Sequence, residues 1–184
     1  MNIVQEFDTI AAIATPLGTG GVGVIRISGD TSFDIIKKIY SKQNLTAGRI
    51  SHGWIVDNGK KIDEVIILPF KNPNSYTGED VIEIHCHGGM NVVRNILDLV
   101  LKNGARTAER GEFTKRAFLN KKMDLSQAEA VADLIHAKTR NFAIQSAKNL
   151  SGVLGEKISE IKKQIFETLS KIIAGIDFPE DVAE

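Results

Sequence analysis

Apolar positions follow two regimes along the chain, and the change comes near residue 118. Upstream, short apolar runs alternate with glycine-rich turns. Thr9–Ala14 (TIAAIA) and Val22–Ser28 (VGVIRIS) have the β-branched, compact character of strands. The stretch DTSFDIIKKIYSK, from Asp30, instead sets Phe33, Ile36, Ile39 and Tyr40 on one helical stripe, with Asp30 or Thr31 as N-cap. ISHGWIV and IDEVIILPF flank Asp57-Asn58-Gly59-Lys60, where Asn-Gly favours the positive backbone angles of a tight primed turn, so a hairpin is predicted. Another strand is predicted within YTGEDVIEIHCHGG (Tyr76–Gly89), then a helix over MNVVRNILDLVLKNG stopped by Gly104, then a strand near Ala105–Ala108. This order predicts an α+β sandwich rather than a doubly wound sheet.

Downstream of Phe118 the pattern is helical. Ser126 and Glu129 have capping-box spacing and open a helix predicted to run to about Leu150. Gly152 and Gly155 interrupt it. A second helix follows, with Ile158, Ile161, Ile165, Leu169 and Ile172 at helical spacing. Two such helices form a hairpin that cannot bury its stripes alone. DFPEDVAE then ends the chain without a terminal element, so a polypeptide cut from something longer is expected. The expected domains are 1–118 and 119–184.

Composition narrows the classes. With 184 residues, 42% hydrophobic and 25% charged, the chain suffices for one compact domain and a smaller appendage. Its formal net charge is zero, so any nucleic-acid role must come from a local patch. The single Cys86 excludes an internal disulfide and a CxxC centre. The N-terminal stretch lacks a basic n-region, and no apolar run approaches the roughly 18 residues needed to span a membrane. A soluble, cytoplasmic protein without a membrane partner is expected.

Three stretches carry candidate chemistry. Gly18-Thr19-Gly20-Gly21-Val22-Gly23 is a literal G-x-G-x-x-G, but a strand rather than a helix follows it, which fails the dinucleotide context. No G-x-x-x-x-G-K-[ST] occurs, so the chain carries no P-loop. In YTGEDVIEIHCHGG, strand alternation sends Val81, Glu83, His85 and His87 one way and Ile82, Ile84 and Cys86 the other. Cys86 then reads as a small core hydrophobe. Glu83, His85 and His87 resemble a metal triad, yet the outer two would stand about 13 Å apart along a strand. Zinc ligands at about 2.1 Å cannot readily bridge that, which leaves a His85/His87 pair with a distant third ligand as the metal alternative. Arg26, a guanidinium in mid-strand, needs a partner or a pocket. An internal Arg26–Glu83 pair, two solvated faces, or a ligand pocket all satisfy the residue types. In a pocket, a carboxylate would accept two parallel hydrogen bonds from the amidine-like edge of a purine or pterin. The third stretch, RTAERGEFTKRAFLNKKM, holds six basic residues (Arg106, Arg110, Lys115, Arg116, Lys121, Lys122) against two acidic ones, interleaved with Phe113 and Phe118. It reads as a solvated linker or helix end, or as an anion or nucleic-acid footprint.

Together, DTIAAIATPLGTGGVGVIRISG, SYTGEDVIEIHCHGG, GEFTKRAFLNKKMDLSQAEAVADLI and the closing IDFPED resemble, in order, the N-terminal part of the MnmE (TrmE) family of tRNA-modification GTPases. The resemblance implies an α+β fold, a mixed sheet with packed helices similar to aminomethyltransferase-type tetrahydrofolate-binding domains, followed by the first part of an α-helical domain. It implies a folate-binding, homodimerising domain over 1–118, and a GTPase domain, using GTP, magnesium and potassium, that is absent from this chain. It further implies a flavoprotein partner, MnmG (GidA), carrying FAD and NADH, and tRNA as substrate. The joint product would be an aminomethyl or carboxymethylaminomethyl group at C5 of the wobble uridine, its one-carbon unit coming from a tetrahydrofolate derivative (5,10-methylene, with 5-formyl as stable stand-in). Arg26, Glu83 and Lys122 match the family's folate contacts. Two departures stand out: Arg110 replaces a usual proline, and Lys121 replaces a common glycine, which leaves Lys121 and Lys122 both as candidates to reach the ligand. The rival readings are a dimerisation scaffold whose pocket is structural, and a metal-dependent enzyme using His85 and His87.

Overall fold

The computed structural model describes residues 8–177, which form two compact units that divide after Lys122. The N-terminal stretch before Asp8 and the Phe178–Asp181 part of IDFPED lie outside the described residues.

The first unit is built on one six-stranded sheet. Strands β1 (Ile10–Ile13), β2 (Gly23–Ser28), β3 (Ser51–Asp57), β4 (Lys60–Phe70), β5 (Val81–Cys86) and β6 (Arg106–Thr107) take the order β3-β4-β5-β2-β1-β6. All neighbours are antiparallel except β1 and β6, so the sheet is mixed. The fold is α+β, as the alternating runs and glycine turns predict. The β3–β4 turn has Asn58 at φ 48° and Gly59 at φ 80°, the two left-handed residues that a primed hairpin turn requires.

Helices α1 (Ser32–Ile39) and α2 (Met90–Lys102) cover one face of the sheet. Ile35, Ile36, Ile39, Val93, Ile96 and Val100 pack against Ala11, Ile25, Ile27, Ile55, Ile67, Ile82 and Ile84, all at most 4% exposed. Cys86 belongs to this core, as alternation predicts. Thr31 is the N-cap of α1, but its hydroxyl is hydrogen-bonded to Thr9 rather than to the helix. Alternation turns Val24, Arg26 and Ser28 of β2, Val81, Glu83 and His85 of β5, and Leu68 and Phe70 of β4 to the opposite face.

That face is met by a helix the apolar pattern does not predict, α3 (Glu112–Leu119). Its inward residue is an arginine: Arg116 is 1% exposed. Arg116 Nη2 donates to Glu112 Oε1 at 2.9 Å, and Nη1 donates to Glu79 Oε1 at 3.2 Å and to the Asp8 carbonyl at 2.8 Å. Arg106 braces the same cluster, donating to both Glu112 oxygens, at 2.6 and 2.9 Å. Glu79 in turn accepts from Ser28 at the end of β2, at 2.5 Å. The turn after α3 stays with this unit because the amides of Lys121 and Lys122 donate to the carbonyls of Phe118 and Ala117. The structural division thus falls after Lys122, where the sequence pattern places it at 118.

Among the described residues the second unit holds three helices where two were expected: α4 (Leu125–His136), α5 (Arg140–Leu150) and α6 (Val153–Asp177). The capping box is Asp124/Gln127, not Ser126/Glu129. The Gln127 amide donates to Asp124 Oδ1 at 2.8 Å, and the Asp124 amide donates to Gln127 Oε1 at 2.9 Å. An aspartate two positions upstream takes the cap, and Ser126 becomes a first-turn residue donating to it. The expected single helix to Leu150 breaks at Ala137–Thr139, where Ala137 is extended and Thr139 caps α5. Gly152, at φ 91°, marks the next break, whereas Gly155 lies inside α6. The α6 stripe remains open, with Ile158, Ile161, Ile165, Leu169 and Ile172 between 47% and 61% exposed. No helix among the described residues is long and apolar enough to cross a membrane.

The Arg106 guanidinium, with the Glu109 amide and Arg116, holds the Glu112 carboxyl down at about 2, against an ordinary value of 4.5. A depressed carboxyl contributes stability that is complete above its unfolded value and is lost as pH falls toward the folded one. Acid unfolding followed by circular dichroism should therefore erode stability between about pH 4.5 and pH 2. Glu112→Gln should lower stability at neutral pH by roughly 3 kcal/mol, the scale for breaking a buried pair, and flatten that acid limb. An unchanged acid limb would contradict this.

Candidate functional site

Arg26 and Glu83 are far apart in sequence, yet β2 and β5 pair in a register that sets them directly opposite each other. Arg26 Nε and Nη2 both donate to Glu83 Oε1, at 2.8 and 2.7 Å. Glu83 Oε2 has a weaker neighbour, His85 Nε2 at 3.5 Å. The guanidinium carbon of Arg26 lies 5.0 Å from the Tyr76 ring centroid and 5.5 Å from that of Phe113. Such contacts contribute about 0.5–2 kcal/mol each and hold the guanidinium plane in place. The Tyr76 hydroxyl is hydrogen-bonded to the Thr114 hydroxyl of α3 at 2.9 Å, so the helix also fixes that ring.

In front of the pair opens a cleft of about 320 Å³. Phe70, Tyr76 and Val81 supply its apolar walls, and Asn74, Ser75, Glu83 and Lys122 its polar groups. Glu83 and Lys122 therefore share one cleft. Arg26 is not among its lining residues; it reaches the cleft through its pair with Glu83. Lys122 Nζ donates to the Pro73 carbonyl at 3.0 Å. Its stem is seated against Gly78, whose φ of 77° favours glycine and where a side chain would crowd Lys122 Cγ. Lys121 does not line the cleft. Its φ of 59° is a left-handed conformation, the kind that favours glycine.

Tyr76, Thr114 and Phe113 belong to the site although the sequence reading does not single out their roles. Their signal is weak before folding, since only the return of α3 onto the sheet face brings them to Arg26. His87 departs from the expected shared face. It lies past the end of β5, and Asp63 takes both its backbone amide (2.8 Å) and its Nδ1 (2.6 Å). His85 and His87 do border a second cleft of about 330 Å³ with His52, whose Nε2 lies 3.3 Å from Glu64. Among the described residues no group of three His, Cys, Asp or Glu side chains is arranged to hold a metal ion. The glycine-rich loop at Gly18–Gly21 joins two antiparallel strands, β1 and β2.

A mixed sheet with helices on one face and a carboxylate-walled cleft on the other, followed in sequence by three helices, defines a cleft-bearing α+β domain with an appended helical unit. Residues 9–122 match the family described as "GTP-binding protein TrmE N-terminus", and residues 125–184 match that described as "MnmE helical domain". The chain belongs to the TrmE/MnmE family. Relatives named "tRNA modification GTPase MnmE" include those of Caldicellulosiruptor saccharolyticus (52% identical over 96% of this chain and 40% of the relative). Those of Streptococcus mutans (50% identical; 99% and 41%) and Thermotoga maritima (47% identical; 95% and 39%) are similar. The chain thus spans about 40% of the length of these curated relatives.

Burial, aided by the nearby Asp63 charge, pushes the Cys86 thiol up to about 11. Only the thiolate reacts with disulfide reagents, so Cys86 should label very slowly in the native protein at pH 8 and promptly in denaturant. Fast native labelling would place the thiol outside the core.

Proposed function

We propose that this chain is the folate-binding and dimerising N-terminal portion of a tRNA-modification GTPase. Its cleft takes a tetrahydrofolate one-carbon donor, 5,10-methylene in the cell and 5-formyl as a stable substitute. The observation that carries this reading is the Glu83 carboxylate on the cleft wall. One oxygen is held by Arg26, while the other has only a 3.5 Å neighbour. A carboxylate oriented in this way by a guanidinium suits the amino and ring N–H edge of a pterin. Phe70 and Tyr76 provide flat apolar walls, and Lys122 provides a cation for the anionic or polar remainder. Arg26 serves the ligand through Glu83.

The rest of the assembly follows from family membership and the relatives' printed names. Residues to about 118 would form the folate-binding, dimerising domain, and those after it the start of the helical domain. GTP hydrolysis, with magnesium and potassium, belongs to polypeptide outside these residues, which contain no P-loop. With a flavoprotein partner, MnmG, carrying FAD and NADH, the complete protein would install an aminomethyl or carboxymethylaminomethyl group at C5 of the wobble uridine of certain tRNAs in the cytoplasm. In that scheme the chain alone binds the donor and hydrolyses no GTP.

Calorimetric titration with 5-formyl-tetrahydrofolate tests the reading. Saturable binding is expected, weakened by about 1.5 kcal/mol or more in Glu83→Gln, the scale of a hydrogen bond to a charged group. Lys122→Ala should cost about 0.5–1 kcal/mol, as expected for an exposed charge. Loss of binding in Arg26→Ala with none in Glu83→Gln would contradict the assigned roles. Absence of binding to the wild-type dimer would leave the scaffold reading.

A further inference from the structure

We infer that the exposed side of α3 and the turn after it form a binding surface for a single-stranded RNA loop, with Arg110, Lys115, Phe118 and Lys121 as its contacts. The placement of that RNA beside a donor cleft rests on the folate reading above.

The inference starts from how folding sorts the charges of the Arg106–Lys122 segment. Two of its six cations are consumed internally: Arg106 by Asp8 and Glu112, and Arg116 by Glu112, Glu79 and Asp8. The same network buries Glu112, one of the segment's two carboxylates. Besides the paired Arg106, what reaches solvent from the segment is Arg110, Lys115, Lys121 and Lys122 against Glu109 alone. Among the described residues, Arg110, Lys115 and Lys121 have no carboxylate partner and no side-chain hydrogen bond. The unpaired outward groups thus stand at four cations to one carboxylate, against six to two in the whole segment, in a chain whose total charge is zero. Clustered, unpartnered cations repel one another and favour a polyanion.

Helical geometry adds a second element. Glu112, Arg116 and Ala117 are the buried side of α3, so Lys115, Phe118 and Leu119 share the outward side at i, i+3 and i+4. Phe118 is 38% exposed and Leu119 42% exposed. An exposed aromatic ring among lysines is the combination single-stranded nucleic acid uses, with phosphates on the ammonium groups and a base on the ring. A duplex keeps its bases stacked and has none to offer Phe118, so an unpaired loop is the occupant. Lys121 immediately precedes Lys122, which lines the Glu83 cleft, and consecutive Cα atoms lie about 3.8 Å apart. A strand held at Lys115 and Lys121 passes the cleft mouth, where an unstacked base would meet a donor bound inside.

Fluorescence anisotropy with a labelled anticodon stem-loop RNA tests this, with a fully paired duplex of the same length as comparison. The stem-loop should bind more tightly than the duplex at low salt. The Arg110→Ala/Lys115→Ala double variant should lose roughly tenfold in affinity, and its slope of log K against log salt should shrink by about 1.4, at about 0.7 per phosphate. Phe118→Ala should lose about fivefold or more. Folate affinity should be unchanged in these variants, which also shows that they fold. Wild-type affinity and slope in the double variant would overturn the inference. So would equal losses in Lys157→Ala/Lys162→Ala on α6, or competition by poly-glutamate as effective as by RNA, which would indicate an acidic protein partner. Folate binding without RNA binding defeats this inference alone. RNA binding without folate binding keeps the surface and removes its placement beside a donor.

Discussion

A buried guanidinium governs the side of the sheet where the cleft forms. Arg116 is almost wholly enclosed, and an uncompensated charge there would cost several kcal/mol. The fold meets this cost by bringing Glu112, Glu79 and the Asp8 carbonyl to it from three different parts of the chain. Once those partners are required, α3 has to lie against the sheet, and the Thr77–Asp80 segment has to sit between them. No buried side-chain nitrogen or oxygen among the described residues is left without a hydrogen-bond partner. The cluster thus contributes positional precision more than raw stability, since a well-packed apolar replacement would match it in energy.

The candidate site inherits its geometry from that constraint. With α3 in place, Phe113 stands over Arg26 and Thr114 holds Tyr76 on the guanidinium's other aromatic contact. Arg26 is then fixed well enough to hold Glu83 by one oxygen. The turn that ends α3 carries Lys122 back across Gly78 to the cleft. One helix therefore sets the aromatic partners of Arg26 and, through the turn that follows it, the lysine. Its outward side remains free to present cations of its own.

Most of the sheet was legible in the sequence, because β-branched runs and the Asn58-Gly59 turn signal strands directly. Neither β2 nor β5 reveals its partner, however. Arg26 and Glu83 meet because non-consecutive strands pair in one register, and local pattern does not encode that. Helix α3 was illegible for a different reason: it docks by burying ions, so it lacks an apolar stripe. The i, i+4 spacing of Glu112 and Arg116 was the available signal. In the helical unit, periodicity ran on through Ala137–Thr139, since a break made by a Thr139 cap leaves the apolar spacing nearly intact. Asp124 and Ser126 both offered N-cap chemistry, and the aspartate took it with Gln127. Of the two lysines that the motifs offered, Lys122 lines the cleft and Lys121, in a left-handed conformation, does not.

The most direct test of the central claim is a crystal structure of the chain with 5-formyl-tetrahydrofolate. The account predicts the pterin edge on Glu83, its ring between the Phe70 and Tyr76 walls, Lys122 within hydrogen-bond reach, and the Arg26–Glu83 pair intact behind it. A ligand seated elsewhere, or an Arg26 that leaves Glu83 to grip the ligand itself, would contradict the account.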